Sequence, residues 1–350
     1  MPLVAYKNMP VLNRLQEEGV EILAEQRAKT QDIRELHIGL LNMMPDGALK
    51  ATERQFLRLI ASSNRIAQFY VHIFTIKGVP RSPEMQSYID ENYEDFEELK
   101  KEGLDALIIT GTNPTQPDLA KEPYVEELKQ VFAWADNNVV SVLHSCLASH
   151  AAFKYFYNIE RSPLEQKLFG IFNHRVMDRK HPLLSNINTS FDMPHSRRND
   201  VSARILKAHG LRVLVEGWET GAALAVSPDG FRKVYLQGHP EYDVHSLLKE
   251  YKRDLKLYLT GKLAEPTPLP QNYFNRPAML IYEKWRDNGS KIEEFPEEEL
   301  KNVIDITWRD TAKAIFANWL GLVYELTHYD RQKFFMDGVN PEKPLERWWQ

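Results

Sequence analysis

Between His37 and Phe156 the chain alternates short β-rich runs with helical ones, and no other feature constrains its fold as tightly. His-Ile-Gly-Leu-Leu-Asn-Met-Met (37–44) reads as a buried strand. Thr52 to Arg65 puts Phe56, Leu57, Leu59 and Ile60 on the apolar side of an amphipathic helix, with Thr52 and Glu53 suited to its first turn. The pattern continues as strand 69–76, helix 86–102, strand 104–110, helix 124–137, strand 139–145 and helix 147–157. Strands that alternate with helices in this way imply βαβ units. The expected fold is therefore α/β: a doubly wound, mostly parallel sheet with helices on both faces.

Further strands are expected at 168–177, 212–216, 221–227 and 233–237, then a helix from Asp243 to Leu259. Residues 261–306, punctuated by prolines and ending in a glutamate-rich run, read as an irregular excursion with room for a helix; the acidic run reads as a solvated helix face. A last helix is expected from Arg309 to Thr327. The organisation expected is an N-terminal helical segment (1–34) packed on the body, an α/β domain (35–260), and the excursion with the C-terminal helix (261–350) on that same domain.

Composition narrows the function. A net charge of -5, from 44 basic and 49 acidic side chains, gives no general attraction to nucleic acid or anionic lipid. The sequence has neither an apolar run long enough to span a membrane nor a basic-then-apolar leader, so a cytoplasmic location is expected. A single cysteine excludes an internal disulfide and a cysteine-rich zinc site.

That cysteine, Cys146, falls on the turn between the strand ending at Ser145 and the helix starting at Leu147. A thiol at the carboxyl end of a strand in an open sheet faces the positive end of a helix, which stabilises thiolate. Position alone favours a buried small hydrophobe, so a partner is needed to reverse that reading. Gly238-His-Pro-Glu-Tyr-Asp243 supplies one, again between a strand and a helix: His239 can carry the thiol proton, and Glu241 can fix its tautomer. No His-Glu-x-x-His helix exists, and His144, His150, His174 and His181 share no obvious face with carboxylates, so no metal is expected. Gly111-Thr-Asn-Pro114 reads as a turn rather than a dinucleotide fingerprint. Pro194-His-Ser-Arg-Arg198 reads as a loop that could grip a carboxylate or simply turn at the surface.

These motifs resemble those of the homoserine O-acyltransferases of methionine biosynthesis, a branch of the class I glutamine amidotransferase-like proteins. The resemblance rests on Leu41-Asn-Met-Met-Pro45, Thr52-Glu-x-Gln-Phe-Leu-Arg-Leu59, the cysteine turn, Pro194-His-Ser-Arg197, Gly238-His-Pro-Glu-Tyr-Asp243, Glu250-Tyr-x-Arg-Asp254, Asn272-Tyr-Phe274, Asn318-Trp-Leu320 and Tyr329-Asp330. It implies Cys146 as acyl-accepting nucleophile, His239 as base and acid, Glu241 as orienting carboxylate, and Lys167, Ser196 and Arg253 as the grip on the amino-acid substrate. The Leu147 backbone N–H would form part of the oxyanion hole. It further implies no bound cofactor, an acyl-CoA co-substrate and a homodimer, with Trp348 and Trp349 as candidate contacts.

Some positions depart from the family pattern. Asp46 and Gly47 stand where two lysines are usual, with Lys50 the nearest alternative; Leu147 replaces a customary tryptophan; an extra segment lies between Phe274 and Trp308. At the acyl-specificity position Thr115 stands where glutamate or glycine is common. Small and uncharged, it implies succinyl-CoA rather than acetyl-CoA. The alternatives are a glutamine amidotransferase-like cysteine hydrolase, an acyltransferase acting on serine or another hydroxy amino acid, and a non-catalytic binding protein on this scaffold. The turn lacks the Gly-x-Cys-x-Gly pattern that the hydrolase reading would favour.

Overall fold

The computed structural model describes residues 3–64 and 66–349. Its strands are β1 (Leu3–Ala5), β2 (Ile22–Ala24), β3 (Glu35–Leu41), β4 (Gln68–Phe74), β5 (Ala106–Ile109), β6 (Ser141–Ser145), β7 (Ser162–Val176), β8 (Ser190–Asp200), β9 (Arg212–Gly217), β10 (Gly221–Val226) and β11 (Lys233–Leu236). They form one sheet in the order β2-β1-β4-β3-β5-β6-β11-β10-β9-β7-β8. From β2 to β11 all neighbours are parallel, and the rest pair antiparallel.

The helices are α1 (Pro10–Glu17), α2 (Glu25–Ala28), α3 (Asp46–Ser63), α4 (Pro83–Asn92), α5 (Phe96–Glu102), α6 (Val125–Asn138), α7 (Leu147–Tyr157), α8 (Ala203–Ala208), α9 (Ser246–Leu259), α10 (Arg276–Asp287), α11 (Glu297–Lys301) and α12 (Arg309–Leu326). Alternate residues of β3 face opposite cores. Leu36, Ile38 and Leu40 meet α1, α3 and α12 through Leu15, Phe56 and Phe316. Leu41 joins Leu99, Phe132 and Phe153 of α5, α6 and α7 on the other face. Beside the antiparallel end, Phe169 and Ile171 of β7 pack with Leu248, Tyr251, Trp285 and Trp308, so the 261–306 stretch and α9 share a third apolar cluster. The doubly wound architecture is thus present, and it is mixed only at one end.

Several expectations shift. α3 begins at Asp46 rather than Thr52, because extended Pro45 caps it and the Asp46 carboxylate accepts from Ser82 N–H at 2.8 Å. Thr52 and Glu53 are therefore buried mid-helix, not in a first turn. The helix expected over 86–102 is two, parted at Tyr93, with Asp95 capping the second through Glu97 and Glu98 N–H. β8 covers the segment read as a loop at 194–198. It is an edge strand, where Pro194 does not disrupt the sheet. The first thirty residues hold the short strands β1 and β2, with β2 at the sheet edge, besides helices α1 and α2. Among the described residues no helix is long and apolar enough to cross a membrane.

Candidate active site

Register brings the two chemical loops together. β6 and β11 are parallel neighbours that pair Ser145 with Leu236, so the residues just beyond each strand emerge side by side. Cys146 N–H donates to Leu236 O at 2.7 Å. The cysteine has φ 53° and ψ -114°, a conformation that side chains other than glycine seldom adopt. It forms a tight strand-to-helix elbow that leaves the thiol half-buried. Gly111, after β5, packs against it: a Cβ there would lie 3.4 Å from Leu147 N and 3.5 Å from Cys146 Cβ. Leu147 begins α7, so its N–H has no intrahelical acceptor and is available to an oxyanion.

His239 is fixed on several sides. Its N–H donates to Pro194 O at 2.8 Å, its Nδ1 lies 2.7 Å from Glu241 Oε1, and its ring stacks on Tyr242 at 4.3 Å. With Nδ1 committed to the carboxylate, the other ring nitrogen is left for Cys146. Burial pushes the His239 pKa down, but the charges of Glu241 and Cys146 and side-chain hydrogen bonds to both raise it well above the usual value. Glu241 on one ring nitrogen thus favours the imidazolium form of His239. Gly238 is required by space, since a Cβ there would meet Met193 Sδ at 2.4 Å and His195 Nε2 at 2.9 Å. Behind it, His195 Nε2 pairs with His174 Nε2 at 3.0 Å, and Arg197 Nε donates to His195 Nδ1 at 3.3 Å. An arginine is always charged, so this arrangement keeps His195 neutral.

The second group stands on the same wall. Lys167 Nζ reaches Glu250 at 2.7 Å and Asp254 at 3.2 Å, Ser196 Oγ donates to Glu250 at 2.7 Å, and Arg253 holds Asp254 at 2.6 Å. Cys146, Leu147, His239, Lys167, Ser196 and Arg253 all line one cleft of about 1920 Å³. Two expected participants lie off the cleft lining, and Arg197, which reaches it, is already committed to other partners. Thr115 is exposed, its N–H and Oγ donating to Glu122 at 2.6 and 2.9 Å, and the cleft is lined by Thr112, Asn113 and Pro114 instead. Lys50 lies over the Tyr88 ring at 4.2 Å, off the cleft lining, so it does not stand in for the lysine pair. Arg197 is buried in bonds to Asp200, Asn199 O and Thr220 O, leaving no free fork for a carboxylate.

Sequence reasoning missed Glu250 and Asp254 as the acidic half of the charged wall, and Arg161, which lines the cleft and whose pKa burial lowers. The spacing Glu250, Arg253, Asp254 on α9 is the signal that could have found the first two.

A family model for homoserine O-succinyltransferase matches residues 2–329. The chain belongs to the homoserine O-succinyltransferase family. A relative of that name from Cardiobacterium hominis is 61% identical over 99% of both chains, and one from Methylobacter tundripaludum is 53% identical over 99% of both. Because these alignments span both chains, the segment between Phe274 and Trp308 is no private addition of this family member. A glutamine amidotransferase from Methylobacillus flagellatus superposes with a TM-score of 0.43 at 12% identity, over 83% of this chain and 95% of that one.

Proposed function

We propose that the chain transfers the succinyl group of succinyl-CoA to the γ-hydroxyl of homoserine through a thioester on Cys146. The carrying observation is the strained Cys146 elbow beside an imidazole whose other nitrogen is held at 2.7 Å by Glu241, in a cleft shared with a charged amino-acid grip. The full-length relatives named for this reaction support the substrates.

In the first half-reaction the thiolate forms a bond to the thioester carbonyl carbon, and the oxyanion faces the Leu147 N–H. Collapse breaks the bond to the CoA sulfur, which takes the proton held on His239. In the second, the homoserine hydroxyl gives its proton to His239 as its oxygen attacks the acyl carbon, and collapse restores the thiolate. Glu241 keeps the ring oriented and stabilises the imidazolium throughout. Lys167 and Arg253 suit the substrate carboxylate, while Glu250 and Asp254 suit its ammonium. The exchange of one thioester for another costs little, and neither step needs a resident cofactor.

Intact-mass measurement after mixing the protein with succinyl-CoA should show one added succinyl group, absent in Cys146→Ala and removed by homoserine. Acetyl-CoA should give little adduct on the same time scale. Glutamine hydrolysis without acyl transfer would instead support the hydrolase reading.

A further inference from the structure

The cleft is larger than its reacting end requires. Its volume of about 1920 Å³ is roughly twice the upper end of ordinary small-molecule sites, roughly 300–1,000 Å³. The surplus follows α3. Met43 N–H donates to Thr110 Oγ at 2.8 Å, which sets the start of α3 beside Gly111 and so beside the elbow. From there the lining runs through Gly47, Ala48 and Ala51, which leave open space, to Arg54 and Arg58. Gly47 to Arg58 is about 16 Å of helix.

At Arg54 and Arg58 the wall becomes cationic. Both guanidiniums bind Asp243 and Glu18. Trp308 Nε1 donates to Tyr242 O at 3.0 Å, which brings the start of α12 to the same loop. Arg309 and Lys313, four residues apart on one face of α12, also line the cleft. Among the described residues neither has a carboxylate partner. The cleft therefore joins a thiol, a run of small residues, and a wall whose last two cations are unneutralised.

We propose that Arg309 and Lys313, backed by Arg54 and Arg58, bind the phosphates of the nucleotide end of the acyl-thioester co-substrate, with its flexible arm lying over Gly47, Ala48 and Ala51. The inference rests on the acyl-CoA reading above. That reading puts the thioester at Cys146, and the small residues of α3 leave room in the cleft for the arm. Dense negative charge on a phosphoester matches the Arg309 guanidinium and the Lys313 ammonium, which among the described residues meet no carboxylate.

The test compares succinyl-CoA with succinyl-pantetheine, which carries the same thioester without the nucleotide. In the double variant Arg309→Gln, Lys313→Gln, the KM for succinyl-CoA should rise by about tenfold or more, the loss expected when bonds to a charged group are removed. The advantage of succinyl-CoA over succinyl-pantetheine should shrink by the same factor. Turnover of succinyl-pantetheine by that preparation reports an intact fold and thiol. An unchanged KM for succinyl-CoA overturns the phosphate site, as does an equal rise for both substrates, which would place the effect at the elbow. Wild-type protein that accepts no succinyl group from either donor overturns the acyltransfer reading itself, and the site with it.

Discussion

His239 and His37 are equally buried, at 7% exposure each, yet their surroundings drive them to opposite protonation states. His239 has Glu241 on one ring nitrogen and Cys146 facing the other, and its pKa is raised although burial alone would lower it. His37 has His72 Nε2 at 2.8 Å on Nδ1 and Glu35 at 3.1 Å on Nε2, but that carboxylate is half in water and its field is screened. Burial first, then the charges of Arg331 and His72, lower the His37 pKa to about 2. Both rings are withdrawn from water to the same degree. What separates a reactive imidazole from a structural one is the charge sign of the groups at its two nitrogens.

Removing the groups on either side of His239 should break the contrast. Cys146→Ala should abolish the covalent adduct and lower turnover by at least about 10⁴-fold, as loss of a nucleophile does elsewhere. Glu241→Gln keeps the shape but deletes the charge that favours imidazolium, and should lower kcat by about 10²–10⁴-fold. The sign extends to the thiol. A less basic His239 holds the proton less firmly, so the pH midpoint of thiolate absorbance near the ultraviolet edge should move up in Glu241→Gln. A midpoint that stays in place would separate Glu241 from the protonation of the pair.

At the other site the contrast is sharpened with pH. His37 is near 6.5 when unfolded and about 2 when folded, so between those values the unfolded chain binds more protons. Its contribution is present above pH 6.5 and is lost as the pH falls toward 2. His144, lowered to about 3, and His150, His174 and His181, each lowered to about 4, act with the same sign, burial being the first cause in each. Denaturant midpoints should therefore drop steadily below pH 6.5. His37→Gln should flatten that slope by about 1 kcal/mol per pH unit, close to the limit for one proton. An unchanged slope would mean that the His37–His72 pair is already charged in the folded state.

The ease of reading these regions from sequence also differs. The elbow was legible because β6 and α7 have strong, abutting patterns that leave Cys146 nowhere else to lie, and His239 stands at the matching point after β11. Nothing local shows that β6 and β11 are neighbours, since that depends on the order of the whole sheet. β8 was hidden for another reason: an edge strand pairs on one side only, so its sequence keeps prolines and charges that a central strand could not. The charged wall was half legible. Lys167, Ser196 and Arg253 came from the resemblance, whereas Glu250 and Asp254 look like ordinary helix-surface acids until α9 is seen lying beside β7 and β8.

The smallest expected effect concerns acyl choice. The resemblance makes Thr115 the specificity position, where a glutamate would repel a succinyl carboxylate and favour acetyl. In the folded chain Thr115 instead ties its loop to buried Glu122, and the cleft wall is made by Thr112, Asn113 and Pro114. Thr115→Ala removes one side-chain hydrogen bond at an exposed position, so the ratio of kcat/KM for succinyl-CoA over acetyl-CoA should change by less than about threefold, under about 0.7 kcal/mol of differential binding. Asn113→Ala, on the lining itself, should change that ratio more. The reverse order would show that the loop moves when the donor binds and carries Thr115 to the acyl group, so that resemblance and geometry would describe two states of one segment.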